Sequence, residues 1–415
     1  MRQNDTSNMN FDLEKIVRKN IWDLKPYSSA RSEFNLYSSG ENDLTLLDAN
    51  ENPNPSAAFN VQDSKTHSSE LLTQNLNRYP DPLQSDIKEL LAKQKGINPN
   101  QIFVGNGSDE AIDLLYRVFC EPGVDSVITC PPTYGMYEVS AAINNVRVLE
   151  IPLGTDFSLD VDRILAEISA CAEIDKPKIL WICSPNNPTG NALLKADLKH
   201  DWQAVNYVKG GMMDMPFAPV FEQEMLDNQR KLDKLFGNFN GIIVVDEAYQ
   251  DFTENMSFIK RLEDYPNLVV LQTMSKAHGL AGARVGFAFA SAAIIALFNK
   301  TKPPYNVNEL SQQAVLQALK QPEETTSQIA EIVANRKYLE QALTIFDFVI
   351  KIYPSDANFI LVELENATAV YNFLKDKGII VRNRCSQIPN TLRFTVGTFQ
   401  ECEAVISVLK EYTRD

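Results

Sequence analysis

The sequence is short of the residues that build metal centres and disulfide frameworks. It has three histidines, His67, His200 and His278, too few to supply a metal site convincingly, and no metal is expected. Its six cysteines (Cys120, Cys130, Cys171, Cys183, Cys385 and Cys402) form no C-x-x-C pair, and most stand in apolar runs, so they read as reduced core thiols. Long hydrophobic runs are missing too. The longest, "GFAFASAAIIALF", has 13 residues, short of the roughly 20 that span a bilayer. The opening "MRQNDTSNMN" is polar and lacks the apolar stretch of a signal peptide, so a cytoplasmic location is expected. Basic residues are in deficit, 39 against 54 acidic, for a net charge of −15. A surface this acidic repels phosphate backbones and anionic lipid, so neither nucleic acid nor membrane is an expected partner. No internal repeat is visible.

What is present is an ordinary globular composition, 44% hydrophobic and 22% charged. At 415 residues the chain exceeds one hydrophobic core, and two domains are expected. Residues 1–10 read as disordered. "FDLEKIVRKNI" carries an approximate helical stripe through Phe11, Ile16, Val17 and Ile21. "SDIKELLAKQKG" is a helix closed by Gly96, and "IFVGNGSDEAIDLLYRVFC" begins as a turn and becomes a helix with Ser108 as its N-cap. "SVITC", "VRVLEIPL", "KILWIC", "GIIVVDEAY" and "LVVLQTMSK" read as buried strands between helices, the pattern of a mostly parallel α/β sheet. After about residue 306 the pattern changes. A helix, "NELSQQAVLQALK", leads into a smaller α+β unit with strands at "NFILVEL" and "TLRFTVGT".

Ligands of parallel sheets sit at the carboxyl ends of strands. Asp246 ends "IIVV", Asn187 follows "KILWICSP", and Lys276 follows "LVVLQTM". In "TMSKAHGLAGARVGF", Lys276 and Arg284 stand among small and apolar residues with no neighbouring acid in the stretch. A lysine in an apolar, cationic pocket has a lowered pKa, and its neutral amine can form a Schiff base with an aldehyde. Pyridoxal phosphate is an aldehyde that also carries a phosphate, a basic ring nitrogen and a phenolic oxygen, and each finds a partner type here. Arg284, Ser275 and the "GNGSDE" turn with Gly107, Ser108 and Asp109 suit the phosphate, the turn acting through backbone N–H groups. Asp109 and Glu110 would oppose an anion, so their side chains are expected to point away. Asp246 suits a protonated ring nitrogen, Asn187 and Tyr249 the phenolic oxygen, and Tyr134 of "PPTYGMYE" the ring face.

In this order, "GNGSDE", "PPTYGMYE", "CSPNNPTG", "VVDEAY" and "TMSKAHGLAGARVGF" resemble the fold-type I pyridoxal-phosphate aminotransferases. The added segments "LKPYSSAR", "LDANENP", "NRYPDP", "SDANFILV" and "TLRFTVGT" narrow the resemblance to the histidinol-phosphate aminotransferases, over residues 20–410. The resemblance implies a large domain around a mixed seven-stranded sheet with a smaller α+β domain. Its expected division is an arm and part of the small domain at 1–55, a large cofactor domain at 56–305, and a small domain at 306–415. It makes Lys276, Asp246 and Tyr249 catalytic, with Lys276 as proton shuttle. It sends Tyr79 to the cofactor phosphate of a second subunit, so a homodimer with shared active sites is implied. It places Tyr27, Asn52, Asn358, Arg382 and Arg393 at the substrate, Arg384 competing with Arg382. The implied reaction passes the amino group of L-histidinol phosphate to 2-oxoglutarate, giving imidazole acetol phosphate and L-glutamate. Two other kinds of reading stay open: another fold-type I enzyme, such as an aromatic aminotransferase or a phosphothreonine decarboxylase, and a catalytically silent binding protein on the same fold. His278 reads as structural, and the methionines of "GGMMDMP" as packing. The stretch from Gly190 to Asp246 departs from the family by its length, and roughly 198–232 is expected to be a surface excursion near the small domain or the dimer edge.

Overall fold

The computed structural model describes residues 11–25, 49–52, 54, 76–172, 175–195 and 218–413. Its centre is a seven-stranded sheet of β1 (Ile102–Gly105), β2 (Ser126–Thr129), β3 (Arg147–Glu150), β4 (Ile179–Cys183), β5 (Ile242–Asp246), β6 (Leu268–Thr273) and β7 (Gly286–Ala290), in the order β1-β7-β6-β5-β4-β2-β3. The pairs from β6 through β3 are parallel, and β7 runs antiparallel to both neighbours. Because β7 is reversed, β1 points the same way as β6, so the ends of β1, β2, β4, β5 and β6 lie along one edge.

Helices cover both faces, which is why the central strands are apolar at every position. Successive residues of β4 alternate between two cores. Leu180 and Ile182 join Ile243, Val245 and Val270 on one face. Ile179 and Trp181 join Val244, Val269 and Leu271 on the other, against Leu114, Leu115 and Phe119 of the helix Ser108–Phe119. Full burial of each such side chain contributes about 1.5–3 kcal/mol.

Several elements differ from the sequence reading. "IFVG" is a strand rather than a turn, because β7 gives it a partner from Ile102↔Phe289 to Gly105↔Gly286. The 13-residue apolar run splits at Ser291 into β7 and the helix Ala292–Thr301. β3 is not buried: as the last strand it has a neighbour on one side, and Arg147 and Glu150 face solvent. Gly107, not Ser108, occupies the N-cap of the helix Ser108–Phe119. The amino-terminal helix is two short ones, Leu13–Ile16 and Lys19–Trp22. Between them Val17 is extended, and the Arg18 amide donates to the Val118 carbonyl at 2.9 Å. Val17 and Ile21 are buried in the large-domain core, so this part of the expected arm lies on the large domain.

The chain enters β5 from a 21-residue helix, Ala218–Asn238. Leu232, Leu235 and Phe236 bury its end in the first core. Residues 218–232 thus form the first part of this helix, and residues 196–217 lie outside the described residues.

The second domain has a four-stranded antiparallel sheet, β8 (Val349–Tyr353), β9 (Phe359–Leu364), β10 (Arg382–Asn383) and β11 (Thr391–Thr395), in the order β10-β11-β9-β8. The sequence showed β9 and β11; β8 and the two-residue β10 add to them. The helix Glu309–Leu319 still packs on the first core through Val315 and Leu319, and the helix Pro322–Leu343 packs on the small sheet through Leu339 and Leu343. Tyr249, Phe252 and Ala277 meet Ala357 and Phe359 in a cluster that joins the domains beside the strand ends.

Candidate active site

A cleft of about 140 Å³ opens at that common edge, lined by Ser108, Asp109, Tyr134, Cys183, Asn187, Asp246, Ala248, Tyr249, Thr273, Ser275, Lys276, Ala281 and Arg284. Of the residues the sequence singled out, the structure brings Ser108, Asp109, Tyr134, Asn187, Asp246, Tyr249, Ser275 and Lys276 together from the ends of β1, β2, β4, β5 and β6, with Arg284 from the approach to β7.

Asp246 closes the floor. It is buried, its Oδ2 accepts from the Tyr137 hydroxyl at 2.7 Å, and its Oδ1 accepts from the Ala248 amide at 3.1 Å. Burial pushes its pKa up to about 6, against the pull of those two donors. Lys276 stands in the cleft with its ammonium 5.8 Å from the centroid of the Tyr249 ring. Burial lowers its pKa, and the positive charges of Arg393 and then Arg284 lower it further. The sequence anticipated this direction; the larger cationic contribution comes from Arg393, across the domain boundary, rather than from Arg284.

The anion grip is built by close approach. Arg284 has a left-handed backbone (φ 55°), uncommon for a residue with a side chain. Its guanidinium lies against Gly107: a Cβ there would come within 2.8 Å of Arg284 Nη2. A Cβ on Gly286 would overlap the Ser108 amide, so glycine is required for β7 to pass beneath the helix N-terminus. Arg284 is not without an acid. Its Nη2 lies 3.4 Å from Asp109 Oδ2, and Asp109 Oδ1 accepts from the Tyr134 hydroxyl at 3.1 Å. The Asp109 carboxylate therefore faces the cleft, contrary to the expectation that it would point away. Two donors, one of them a cation 175 positions along the chain, make that orientation favourable. Glu110 does turn aside, accepting from the Asn106 amide and from Asn306 Nδ2.

At the opposite wall, Asn187 Oδ1 accepts from Arg393 Nη1 at 2.5 Å and from Arg384 Nη2 at 3.3 Å. A guanidinium has no acceptor, so this fixes the amide's orientation and leaves its NH₂ to donate. The Arg393 guanidinium also lies over the Phe359 ring, 5.0 Å from its centroid. Nε of both Arg384 and Arg393 is buried without a partner. Burial, then the charges of Arg393 and Arg382, lower Arg384 to about 10. Arg382 is exposed, opposite Arg393 in the β10–β11 register. Arg384, one residue past the end of β10, takes the contact with Asn187, while its amide donates to the Thr391 carbonyl at 3.0 Å.

Asn358 is partly buried, and its carbonyl accepts from the Val396 amide. Asn52 is exposed, accepting from the Asn54 amide through its side chain and from Asn77 through its carbonyl. Tyr79 is 50% exposed and stacks on Tyr305 with centroids 4.5 Å apart. Tyr27 lies outside the described residues. The structure adds Tyr137, beneath Asp246, to the sequence reading, and of the competing arginines it sets Arg384 rather than Arg382 against Asn187. The signal for Tyr137 was its place three residues after Tyr134 in "PPTYGMYE", in the first turn of the helix Met136–Ile143 that follows Tyr134. The six cysteines are free; burial holds Cys120, Cys130 and Cys183 as thiols.

A half-exposed arginine set against amides at a helix N-terminus fits a phosphate. Beside it are a buried carboxylate for a ring nitrogen and a lysine of lowered pKa for an aldehyde. The donor set fits pyridoxal phosphate, and fold and site together define a pyridoxal-phosphate-dependent transferase of fold type I. Comparison with known proteins narrows the class. The chain belongs to the aminotransferase class I and II family, whose profile matches residues 42–205 and 226–409. It is 43% identical over 402 residues to the histidinol-phosphate aminotransferase of Flavobacterium johnsoniae, covering 96% of this chain and 98% of that protein. It is 43% identical over 403 residues to that of Christiangramia forsetii, covering 97% and 98%. Among solved structures, the Sinorhizobium meliloti histidinol-phosphate aminotransferase in complex with pyridoxal-5'-phosphate superposes with a TM-score of 0.67 at 21% identity, covering 88% of this chain and 89% of that one. The L-threonine-O-3-phosphate decarboxylase of Porphyromonas gingivalis gives 0.61 at 22%, covering 83% and 94%. These two likenesses speak to the fold alone. Among the described residues no helix is long and apolar enough to cross a membrane.

Proposed function

We propose that the protein transfers the amino group of L-histidinol phosphate to 2-oxoglutarate, forming imidazole acetol phosphate and L-glutamate. The observation that carries the substrate is the pair Arg384 and Arg393. Two guanidiniums converge on Asn187, each with a buried, unpartnered Nε–H. Two such forks suit a phosphate dianion, and one of them suits the carboxylate of glutamate in the return half-reaction. The near full-length identity with histidinol-phosphate aminotransferases supports the same substrate.

The cofactor, when bound, supplies an electron sink for the charge that develops at the substrate's α-carbon. The chain's residues do the rest. Arg284, Ser275 and the first amides of the helix Ser108–Phe119 hold the phosphate. Asp246 holds the proton on the ring nitrogen. The Asn187 NH₂ and the Tyr249 hydroxyl would hold the ring through its phenolic oxygen, and Tyr134 would lie against it. Lys276 would hold the aldehyde of the bound cofactor and would move a proton at the substrate's α-carbon, general acid–base work of roughly 10²–10⁴-fold. The cationic neighbours of Lys276 enlarge its neutral fraction, which is the reactive one.

The protein is further proposed to act as a cytoplasmic homodimer, with the exposed Tyr79 reaching the cofactor phosphate of the second subunit. A substrate panel tests the reading. With 2-oxoglutarate as acceptor, L-histidinol phosphate should turn over with a kcat/KM at least tenfold above that of phenylalanine, and O-phosphothreonine should release no carbon dioxide. Preference for phenylalanine, or decarboxylation of O-phosphothreonine, would replace this assignment with one of those activities.

A further inference from the structure

Tyr137 never reaches the cleft, yet its hydroxyl is the shorter of the two hydrogen bonds that hold the Asp246 carboxylate, 2.7 Å against 3.1 Å from the Ala248 amide. The tyrosine is fully buried. Its ring is stacked on Trp181 (4.7 Å, 16°) and meets the edge of Tyr134 at 5.6 Å, while its carbonyl accepts from the Tyr116 hydroxyl at 2.7 Å. Packing and tether together leave the hydroxyl no other place to go. A phenylalanine would fill the same slot. A buried hydroxyl without a partner destabilises the fold, so its presence is explained by the carboxylate it faces.

We propose that Tyr137 is a positioning residue: its hydroxyl sets the rotation of the Asp246 carboxylate and keeps it anionic, so that Asp246 can hold a protonated ring nitrogen of pyridoxal phosphate. The inference rests on the role given to Asp246 above. A carboxylate so enclosed stays ionised through its donors and nearby cations. The groups facing Asp246 are few. Cys183, Tyr134 and Tyr249 are neutral, Asp109 repels its charge, and Lys276 attracts it. Remove the Tyr137 hydroxyl and one backbone amide remains as donor, so Asp246 takes up a proton more readily and the ring nitrogen gives its own up. Tyr134 and Tyr137 sit one turn apart, so a single helix start fixes both the ring's cover and the carboxylate beneath it.

The test is Tyr137→Phe in the full chain, loaded with pyridoxal phosphate labelled with ¹⁵N in the ring. In the parent the ring nitrogen should be protonated at neutral pH. In the variant its resonance should move toward the unprotonated position at the same pH, cofactor affinity should fall about tenfold, and kcat should fall at least tenfold while the donor's KM changes less than twofold. The unfolding temperature of the cofactor-free variant should stay near the parent's. A variant whose ring nitrogen titrates as the parent's does, with cofactor affinity unchanged, overturns the proposal. An unprotonated ring nitrogen in the parent overturns it together with the role of Asp246. Should the phenylalanine variant fail to fold, 3-fluorotyrosine placed at Tyr137 keeps the packing with a stronger donor. Protonation of the ring nitrogen should then persist to higher pH, and an unshifted titration overturns the proposal.

Discussion

Asp246→Asn should make the cofactor-free protein more stable at alkaline pH while disabling it. Burial raises the Asp246 carboxyl from 3.8 to about 6. The folded state therefore holds this proton more tightly than the unfolded chain does. The resulting stability is fully present below about pH 4 and is lost as pH rises from about 4 to 6. About two pKa units at 1.36 kcal/mol each give roughly 3 kcal/mol lost by pH 8. Asparagine is neutral at every pH and does not incur this loss. It can still accept the Tyr137 hydroxyl through its oxygen, but its NH₂ would face the Ala248 amide, a mismatch costing about 1 kcal/mol. The expected net gain at pH 8 is therefore about 2 kcal/mol, shrinking toward zero and below as pH falls to 4. Urea unfolding of cofactor-free parent and variant at pH 4.5, 6 and 8 measures it, and their difference should grow with pH. A difference flat across that range, or a variant less stable at pH 8, would refute the argument that burial governs this carboxyl.

Other substitutions probe separate parts of the site. Lys276→Ala should abolish turnover and the visible absorption of bound cofactor, and near-normal activity would sink the assignment. Arg284→Lys keeps a charge but loses the fork over the helix N-terminus; cofactor should dissociate about tenfold more readily, and equal retention on dialysis would count against the anion grip. Gly286→Ala drives a methyl into the Ser108 amide and should cost about 1–3 kcal/mol in unfolding along with cofactor affinity; a variant with parent-like melting and binding would show that the close approach is dispensable. Arg384→Met should raise KM for L-histidinol phosphate at least tenfold and leave any turnover of phenylalanine unchanged, whereas an equal effect on both donors would make Arg384 structural.

The sequence made the strand ends legible because each is a buried apolar run that stops at a polar residue: "IIVV" at Asp246, "LVVLQTM" before Lys276 and "KILWIC" before Asn187. Chemistry then limited what those residue types could hold jointly. Features set by contacts between distant segments were harder to read. Asp109 turns toward the cleft because Arg284 and Tyr134 are there, and no local pattern announces that pair. The choice between Arg382 and Arg384 depended on where a two-residue strand ends, which periodicity cannot resolve. β1 passed for a turn because its last residue is the first glycine of "GNG", and its partner β7 lies far along the chain, from 187 positions away at Ile102↔Phe289 to 181 at Gly105↔Gly286. Tyr137 was hidden by Tyr134, whose role in the same motif was easier to see.

The central claim is an amino transfer from a phosphate-bearing donor, and product balance tests it most directly. Purified protein loaded with pyridoxal phosphate is supplied with L-histidinol phosphate and 2-oxoglutarate, and both products are measured. The account predicts one L-glutamate formed for each imidazole acetol phosphate, with no glutamate when Lys276 is replaced by alanine. Consumption of L-histidinol phosphate without matching glutamate, or no consumption by fully loaded protein, would contradict it.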